Sequence, residues 1–162
     1  MGGKYLDLDE LAPVIEKEKK EGKRIALANG GFDILHIGHI RYLRAAAETA
    51  DILVVAINSD RSLRELKGPH RAEIDERGRA KVIGSLGFVD YVTVFDERRV
   101  DRVLLTLKPD FHCKGSDYTP DTVPEKDVVR SYGGRIIIVG GRKIKSTSDI
   151  INDISLKKEI EK

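Results

Sequence analysis

The chain has 162 residues, of which 40% are hydrophobic, and its 29 Lys and Arg against 27 Asp and Glu leave a formal net charge of +2. This length is typical of one domain with a core of its own, and the apolar share excludes a disordered chain or a fibrous repeat. The nearly balanced charge gives no whole-chain excess for nucleic acid, and a single cysteine, Cys113, excludes an internal disulfide or a zinc cluster.

The sequence shows neither a signal peptide nor a membrane span. Residues 1–5 have no apolar core, and the longest apolar run, Ile52 to Ile57, is far shorter than the roughly 20 residues that a membrane helix needs. We therefore expect a cytoplasmic protein with neither a membrane nor a nucleic acid among its partners. Cys113 is then expected to be a free thiol packed in a strand.

Short β-branched runs alternate with longer helical patterns along the chain. The apolar runs predict five strands, at Arg24 to Asn29, Ile52 to Asn58, Tyr91 to Phe95, Phe111 to Lys114 and Arg135 to Val139. The helical periodicity predicts helices at about Asp9 to Lys20, His39 to Thr49, Asp60 to Leu66, Asp75 to Leu86, Val100 to Leu107, Val123 to Tyr132 and Ser148 to Ile154.

This alternation favours an α/β fold, a Rossmann-like, doubly wound, five-stranded parallel sheet with helices on both faces. We expect a single domain over residues 1–162, with its core at about 24–154 and an N-terminal helix at about 9–20. The charged tail, 155–162, is expected to fray or to extend the last helix. Ligands of such sheets bind beyond the carboxyl ends of the strands, so the loops that follow the strands are the candidates for function.

The loop after the first strand has the most unusual sequence. It runs Asn29-Gly30-Gly31-Phe32-Asp33-Ile34-Leu35-His36-Ile37-Gly38-His39 into a helix. Its glycines permit close backbone approach, and a helix N-terminus with two imidazoles beside it attracts phosphate. The loop contains neither Gly-x-Gly-x-x-Gly nor Gly-Lys-Ser/Thr, which disfavours a nicotinamide-cofactor enzyme and a P-loop ATPase. A structural alternative, in which one histidine caps the helix and the other is packed, stays open.

A second candidate region lies between the second and third strands. Lys67-Gly68-Pro69-His70-Arg71 sets three potential cations in a loop that can fold over a charged ligand, or that is simply solvated. On the next helix, Arg79 fits either a phosphate contact or a surface ion pair with Asp75 or Glu76.

Polar, glycine-containing loops also follow the last two strands. In the loop Lys114-Gly115-Ser116-Asp117-Tyr118, Lys114 can neutralise phosphate, and Asp117 can take sugar hydroxyls or orient a cation. Turn formation alone also explains Gly-Ser-Asp. The basic loop from Gly140 to Ser148 opens a helix, and its hydroxyls either bind phosphate or cap that helix.

A family resemblance rests on these motifs. Gly31 to His39, followed by Tyr42-Leu43, resembles the signature of the cytidylyltransferase-like nucleotidyltransferase superfamily. The resemblance continues through Asn58-Ser59-Asp60, Leu66 to Pro69, Arg71, Arg79, Val89-Asp90, Lys108 to Asp110, Lys114 to Tyr118, Tyr132 to Gly134 and Ser146-Thr147. This succession looks most like the adenylyltransferase domain of bacterial ADP-heptose synthesis, in a stand-alone version without a fused sugar kinase.

The resemblance implies a reaction and the residues that perform it. AMP from ATP would be joined to a sugar 1-phosphate such as D-glycero-β-D-manno-heptose 1-phosphate, giving ADP-heptose and pyrophosphate. Mg²⁺ is expected on phosphate oxygens, without a dedicated protein metal site. The implied catalytic residues are His36, His39 and Lys114. The implied nucleotide contacts are Asn29, Gly30, Gly31, Phe32, Gly38, Ser146 and Thr147, and the implied acceptor or phosphate contacts are Asp33, Lys67, Arg71, Arg79 and Asp117.

Two of these expectations need a qualification from the residues themselves. Asp33 fits support of the loop geometry as well as an acceptor contact, and we favour the support. Relatives of this kind are often homodimers, so a homodimer is expected by resemblance.

Several positions depart from the usual heptose pattern. Gly31 stands where cysteine is common, Arg71-Ala72-Glu73 replaces Arg-Pro, and Glu97 to Val100 lacks the expected Glu-x-Thr-Pro. Ser116 and Ser148 replace a glycine and a threonine. These changes leave the triphosphate motif intact and concern the acceptor.

Two alternatives therefore stay open. The first is a CTP-dependent cytidylyltransferase acting on a polyol phosphate such as glycerol 3-phosphate, with FAD-synthase-like activity as a variant. That group commonly has an Arg-Thr-Glu-Gly-like sequence before its Ser-Thr pair, which Gly141 to Lys145 does not supply. The second is a non-catalytic nucleotide-binding module, which would be expected to have lost His36, His39 or Lys114.

Overall fold

The computed structural model describes residues 3–141 and 147–160 of the chain. Over these ranges it contains one six-stranded parallel sheet with the strand order β1-β4-β3-β2-β5-β6. The strands are β1 (Lys4–Tyr5), β2 (Ile25–Gly30), β3 (Ile52–Asn58), β4 (Tyr91–Phe95), β5 (Phe111–Gly115) and β6 (Arg135–Val139). The helices are α1 (Leu8–Lys20), α2 (Ile37–Ala47), α3 (Asp60–Lys67), α4 (Glu76–Gly84), α5 (Asp101–Leu107), α6 (Lys126–Ser131) and α7 (Thr147–Ile160).

The predicted five-stranded sheet was wrong by one strand. The additional strand, β1, has two residues and pairs with β4, with Lys4 opposite Tyr91 and Tyr5 opposite Val92. Two residues are too few to show an apolar period, so sequence reasoning had no signal for this strand. The α/β class and the parallel pairing were predicted correctly, and α7 continues into the charged tail as far as Ile160.

Apolar helix faces cover both sides of the sheet. On one face, α1 and α5 pack with Leu11, Ile15 and Leu104 against strand residues such as Leu27. On the other face, α2 and α4 pack against strand residues that include the thiol-bearing Cys113. Strands covered on both faces are apolar throughout, which is why β2 and β3 were evident in the sequence. Cys113 is a buried free cysteine, as predicted.

A switch in chain direction across the sheet determines where a ligand can bind. From β2 the chain moves through β3 to β4 on one side, and β5 and β6 lie on the other side of β2. The crevice between oppositely wound halves opens at the carboxyl ends of β2 and β5.

Aspartates anchor the opposite, amino edge of the sheet. The carboxylates of Asp51, Asp90 and Asp110 accept hydrogen bonds, each 2.8 Å long, from the backbone N–H groups of Arg24, Leu53 and Ile25. Each aspartate precedes a strand and bonds to the start of the neighbouring strand. These bonds fix the register at the end of the sheet that is remote from the crevice. In the described ranges, no helix is both long and apolar enough to span a bilayer.

Candidate active site at the switch point

A cavity of about 390 Å³ lies at the carboxyl ends of β2 and β5, which is within the size range of small-molecule sites. Most of the predicted site residues line it. They are Asn29, Gly30, Gly31, Phe32, Asp33, His36, Gly38, His39, Lys67, Arg71, Lys114 and Asp117. Of the remaining three, Arg79 is absent from this wall. Ser146 falls outside the described residues, and Thr147 opens α7 without a described side chain.

The two histidines form one unit at the start of α2. His36 is the N-cap residue, and its Nδ1 accepts a hydrogen bond of 3.1 Å from the Gly38 N–H. The Nδ1 of His39 accepts in turn from the His36 N–H at 3.4 Å. The two rings stack with their centroids 3.8 Å apart, at an interplanar angle of 23°. His36 therefore caps α2 and the two rings pack together, while both histidines line the cavity.

These hydrogen bonds define the tautomer of both rings. An Nδ1 that accepts from a backbone N–H has no hydrogen of its own, so the neutral ring carries its hydrogen on Nε2. Burial, and secondly the neighbouring His36, lower the pKa of His39 to about 4. His39 is therefore a neutral hydrogen-bond donor at physiological pH rather than a cation.

The loop before the histidines packs tightly against α3. A Cβ atom at Gly31 would stand 2.6 Å from Cδ1 of Leu63, so a side chain there would require the Leu63 side chain to shift. This contact gives a physical reason for glycine at a position where the family pattern favours cysteine. Phe32 follows with a φ of 49°, and its ring meets His39 edge to face at 5.1 Å.

Arg79 supports this loop from behind the cavity. Its guanidinium is fully buried and donates to the backbone oxygens of Gly31 at 2.6 Å and Asn58 at 2.8 Å. It also bonds to the Ile74 oxygen and, as an ion pair of 2.7 Å, to Asp60. The predicted alternative of a surface ion pair with Asp75 or Glu76 was wrong, because the side chain is buried and pairs with Asp60.

Lys114 extends from the end of β5 into the cavity wall and is buried. Its Nζ lies 3.5 Å from Oδ1 of Asn29 and 3.9 Å from Oε2 of Glu125, and 4.8 Å from the centre of the Tyr118 ring. A normal charge-assisted hydrogen bond is about 2.7–2.9 Å long, so these contacts leave the ammonium hydrogens weakly engaged. Burial lowers the pKa of Lys114, and the Glu125 carboxylate opposes that shift.

Sequence reasoning missed His112, which lies on β5 two residues before Lys114. Its Nε2 is 3.0 Å from Oδ1 of Asn29, the oxygen that also receives Lys114. Burial, and secondly the charge of Lys114, lower the pKa of His112 to about 3, so it is a neutral donor. A polar residue inside an otherwise apolar strand was the available signal.

The loop that carries Arg71 is attached to the histidine loop by Asp33. The buried Asp33 carboxylate accepts hydrogen bonds from the N–H groups of Ala72, at 3.1 Å, and Glu73, at 2.9 Å. Ala72 has a φ of 61°. Arg71 donates to the hydroxyl of Ser148 at 2.7 Å, which links this loop to the first turn of α7. The contacts agree with the favoured supporting function of Asp33.

Further residues of the cavity lining were not among the predicted site residues. Gly140 has a φ of 90°, and a Cβ there would lie 3.2 Å from Cα of Tyr42, so the chain passes close over α2 at this point. The Tyr42 hydroxyl donates to the Cys113 oxygen at 2.6 Å and thereby joins α2 to β5. Arg41 adds a further cation to the wall.

The fit of a divalent cation can be tested on the donor groups present. Within residues 3–141 and 147–160, no group of three or more His, Cys, Asp or Glu side chains is arranged to hold a metal. The described cavity wall supplies the carboxylates of Asp33 and Asp117. Mg²⁺ binds through one or two carboxylates together with substrate phosphates, and these residues fit that mode.

A glycine-rich loop, a helix N-terminus and clustered cations at the switch point of a parallel sheet define a phosphate-binding α/β domain. The chain belongs to the cytidylyltransferase-like family, whose family model matches residues 27–159. The family resemblance drawn from the sequence is thereby confirmed.

Curated relatives include bifunctional proteins named HldE. The protein from Geobacter metallireducens is 49% identical over 151 residues, which are 93% of this chain and 31% of the relative. The protein from Syntrophotalea carbinolica is 46% identical over 146 residues, which are 90% of this chain and 30% of the relative. The chain thus spans about a third of the length of the curated relatives it matches.

Solved structures show the same fold. A lipopolysaccharide core biosynthesis protein from Thermoplasma volcanium is 29% identical, with a TM-score of 0.65 over 75% of this chain and 100% of the other. A pantoate-beta-alanine ligase from Francisella tularensis is 13% identical, with a TM-score of 0.59 over 99% of this chain and 80% of the other. The second likeness concerns the fold alone.

Proposed function

We propose that this chain is a nucleotidyltransferase that joins AMP from ATP to a sugar 1-phosphate, D-glycero-β-D-manno-heptose 1-phosphate, with release of pyrophosphate. The observation that carries the proposal is the cavity that is lined both by the stacked pair His36 and His39 and by the weakly engaged Lys114. The HldE relatives and the lipopolysaccharide core biosynthesis protein support the adenylyl donor and the heptose acceptor.

The acceptor needs no strong base from the protein. A phosphate monoester has a second pKa near 6, so its oxygen is already anionic at neutral pH and can attack the α-phosphorus directly. A bond forms between that oxygen and the α-phosphorus, and the bond from the α-phosphorus to the bridging oxygen breaks, with its electron pair leaving on pyrophosphate. The task of the protein is to hold two polyanions in line and to stabilise the leaving charge.

The residues of the cavity divide this task. His36 and His39, as neutral Nε2–H donors, hydrogen bond to the triphosphate next to the positive end of α2. Lys114 supplies a full positive charge to the same phosphates. Lys67 and Arg71, on the opposite wall, bind the acceptor phosphate, and Asp33 holds their loop in place. Asn29, the glycines and Phe32 shape the nucleotide side, with Ser146 and Thr147 proposed as further nucleotide contacts.

Magnesium accompanies the nucleotide in this proposal. Mg²⁺ on phosphate oxygens would neutralise part of the triphosphate charge, and Asp33 and Asp117 are the described carboxylates of the cavity wall that would face it. The cytoplasmic location and the homodimeric state remain predictions from the sequence.

Pyrophosphate release tests the proposed reaction. With Mg²⁺ present, each of ATP, CTP, GTP and UTP is paired with D-glycero-β-D-manno-heptose 1-phosphate and, separately, with glycerol 3-phosphate. We expect release with ATP and the heptose phosphate alone. Release with CTP and glycerol 3-phosphate would instead establish the polyol-phosphate cytidylyltransferase, and nucleotide binding without release in any pairing would contradict catalysis of this class.

Two lysine variants accompany this assay. Lys114→Ala is expected to lower kcat/KM by about a hundredfold or more, since one preorganised donor at developing charge is worth that much. Lys81→Ala, on the exposed surface of α4, is the matched control and should behave as the wild type.

A further inference from the structure

A buried carboxylate stands directly behind Lys114. Glu125 immediately precedes α6, and its side chain is 6% exposed, against 10% for the side chain of Lys114. Lys114 lines the cavity and Glu125 does not, so the lysine lies between the acid and the ligand space. The two charged atoms, Nζ and Oε2, are 3.9 Å apart.

The charge of Glu125 has one described partner. In the described part of the chain its ion pair is with Lys114, and its Oε2 accepts no hydrogen bond. An ionised carboxylate in such a place is costly unless an opposite charge stands near it. The Glu125 carboxylate and the Lys114 ammonium are therefore each other's nearest opposite charge among the described residues.

Among the residues that the structure describes, the other groups in contact with the ammonium supply no second anion. From β2 it meets the neutral amide of Asn29, and from β5 the neutral His112. The loop after β5 contributes the Tyr118 ring, with Asp117 further along the same cavity wall. From α2, burial lowers the pKa of His39 and keeps it uncharged at neutral pH, and burial raises the pKa of Tyr42, so its hydroxyl stays protonated.

The separation of 3.9 Å has a particular physical effect. Coulomb attraction falls as the inverse of distance, so about 70% of the attraction at a 2.8 Å contact remains at this distance. A hydrogen bond, in contrast, is lost beyond about 3.5 Å. Glu125 therefore stabilises the positive charge of Lys114 without occupying the N–H groups that a phosphate would use.

We propose that Glu125 is a positioning residue of the nucleotidyl transfer: as the buried counter-ion of Lys114, it keeps the ammonium charged and its donors available to the phosphates. Asn29, held by the His112 N–H at 3.0 Å, sets the direction of the same ammonium from the other side. The inference rests on the proposed function, because it takes Lys114 to be the phosphate-binding cation. No motif in the sequence marks this function, since Pro124-Glu125-Lys126 is typical of a simple helix start.

The test compares Glu125→Gln, which removes the charge at nearly constant size, with Glu125→Asp, which keeps the charge. Asp127→Asn is the matched control, because it removes an exposed carboxylate from the first turn of the same helix. Thermal unfolding of each variant verifies that it folds. If Glu125→Gln does not fold, Glu125→Asp carries the test, since its shorter side chain moves the carboxylate away and predicts a smaller shift in the same direction.

The first measurement is the pKa of Lys114 itself, read from ¹³C-lysine NMR, with the signal assigned by its loss in a Lys114→Met variant. Removal of the opposing anion leaves burial to act alone, so we expect the pKa to fall in Glu125→Gln, to fall less in Glu125→Asp and to stay unchanged in Asp127→Asn. An unchanged pKa in Glu125→Gln would overturn the counter-ion assignment.

The second measurement is the pH profile of kcat/KM for ATP from pH 6 to 9. A lowered pKa of Lys114 means that the active ammonium is lost at lower pH, so the alkaline limb should move to lower pH. Each unit of that shift reduces kcat/KM about tenfold on the alkaline side, with recovery toward the wild-type value at pH 6. A shifted lysine pKa with an unchanged pH profile would overturn the positioning function.

If the wild type releases pyrophosphate in no pairing, the proposed function fails, and the NMR measurement still decides whether Glu125 holds the charge.

Discussion

The His36 ring serves two neighbours through its two nitrogens. Its Nδ1 caps α2 by accepting the Gly38 N–H, and its Nε2 carries the hydrogen that we assign to phosphate binding. The sequence left two interpretations of this pair, a helix cap and a phosphate ligand, and the geometry shows that they are compatible. The cap fixes the tautomer, and the tautomer makes the ring a donor.

Substitution of His36 separates the two functions. His36→Ala should lose the cap, at a cost of about 1 kcal/mol in the free energy of unfolding, and also most of the activity. His36→Asn restores a good capping side chain without an imidazole, so stability should return while pyrophosphate release stays low. Urea unfolding and the pyrophosphate assay measure the two effects, and recovery of activity in the asparagine variant would contradict a catalytic histidine.

At the scale of helices and strands, the three aspartates of the amino edge connect neighbouring strands where no ligand binds. Asp90→Ala should remove the hydrogen bond to the Leu53 N–H and lower the free energy of unfolding by about 1–2 kcal/mol. The value of KM for each substrate should not change, because the substitution lies at the end of the sheet remote from the cavity. Urea unfolding and steady-state kinetics test this, and Asp90→Asn, which keeps an acceptor oxygen, is the milder control.

The sequence predicted those elements whose own residues show a period or a motif. β2 to β6 are apolar runs, and the loop from Asn29 to His39 is a local motif, so both were recognised. The helix expected from Val123 to Tyr132 is shorter, Lys126–Ser131, and begins after Pro124. A proline favours an extended conformation in the residue before it, which is a reason to start the helix later.

The site residues that escaped prediction share a different property. Glu125 acts on Lys114, and His112 on Asn29, from separate segments of the chain, and a polar residue within β5 was the one local signal in the sequence. Their meaning depends on burial and on distances across the fold, which a single sequence does not report. Likewise, β1 exists because β4 offers it an edge, not because two residues favour a strand.

For the whole molecule, the buried neutral histidines predict a dependence of stability on pH. The pKa of His39 is lowered to about 4 and that of His112 to about 3, mainly by burial, whereas both should be near 6.5 in the unfolded chain. Between these values the unfolded state binds more protons, so stability is fully present above about pH 6.5 and is lost as the pH falls toward 4.

Urea unfolding between pH 7.5 and 5 measures this effect before most carboxylates titrate. The free energy of unfolding should decline by up to about 1.4 kcal/mol per pH unit for each histidine as the pH approaches 5. His112→Leu removes one of the two groups and should make the decline less steep. An unaltered slope in that variant would show that His112 does not contribute.

Arg79 has a consequence for how this molecule can diversify. One buried guanidinium ties the histidine loop to the end of β3 through the backbone oxygens of Gly31 and Asn58, and it also bonds to the Ile74 oxygen. The loop that carries Arg71 is attached to the same histidine loop through Asp33. The two loops therefore share their anchors, and the histidine loop is expected to keep its position only in variants of the Arg71 loop that leave Arg79 and Asp33 in place.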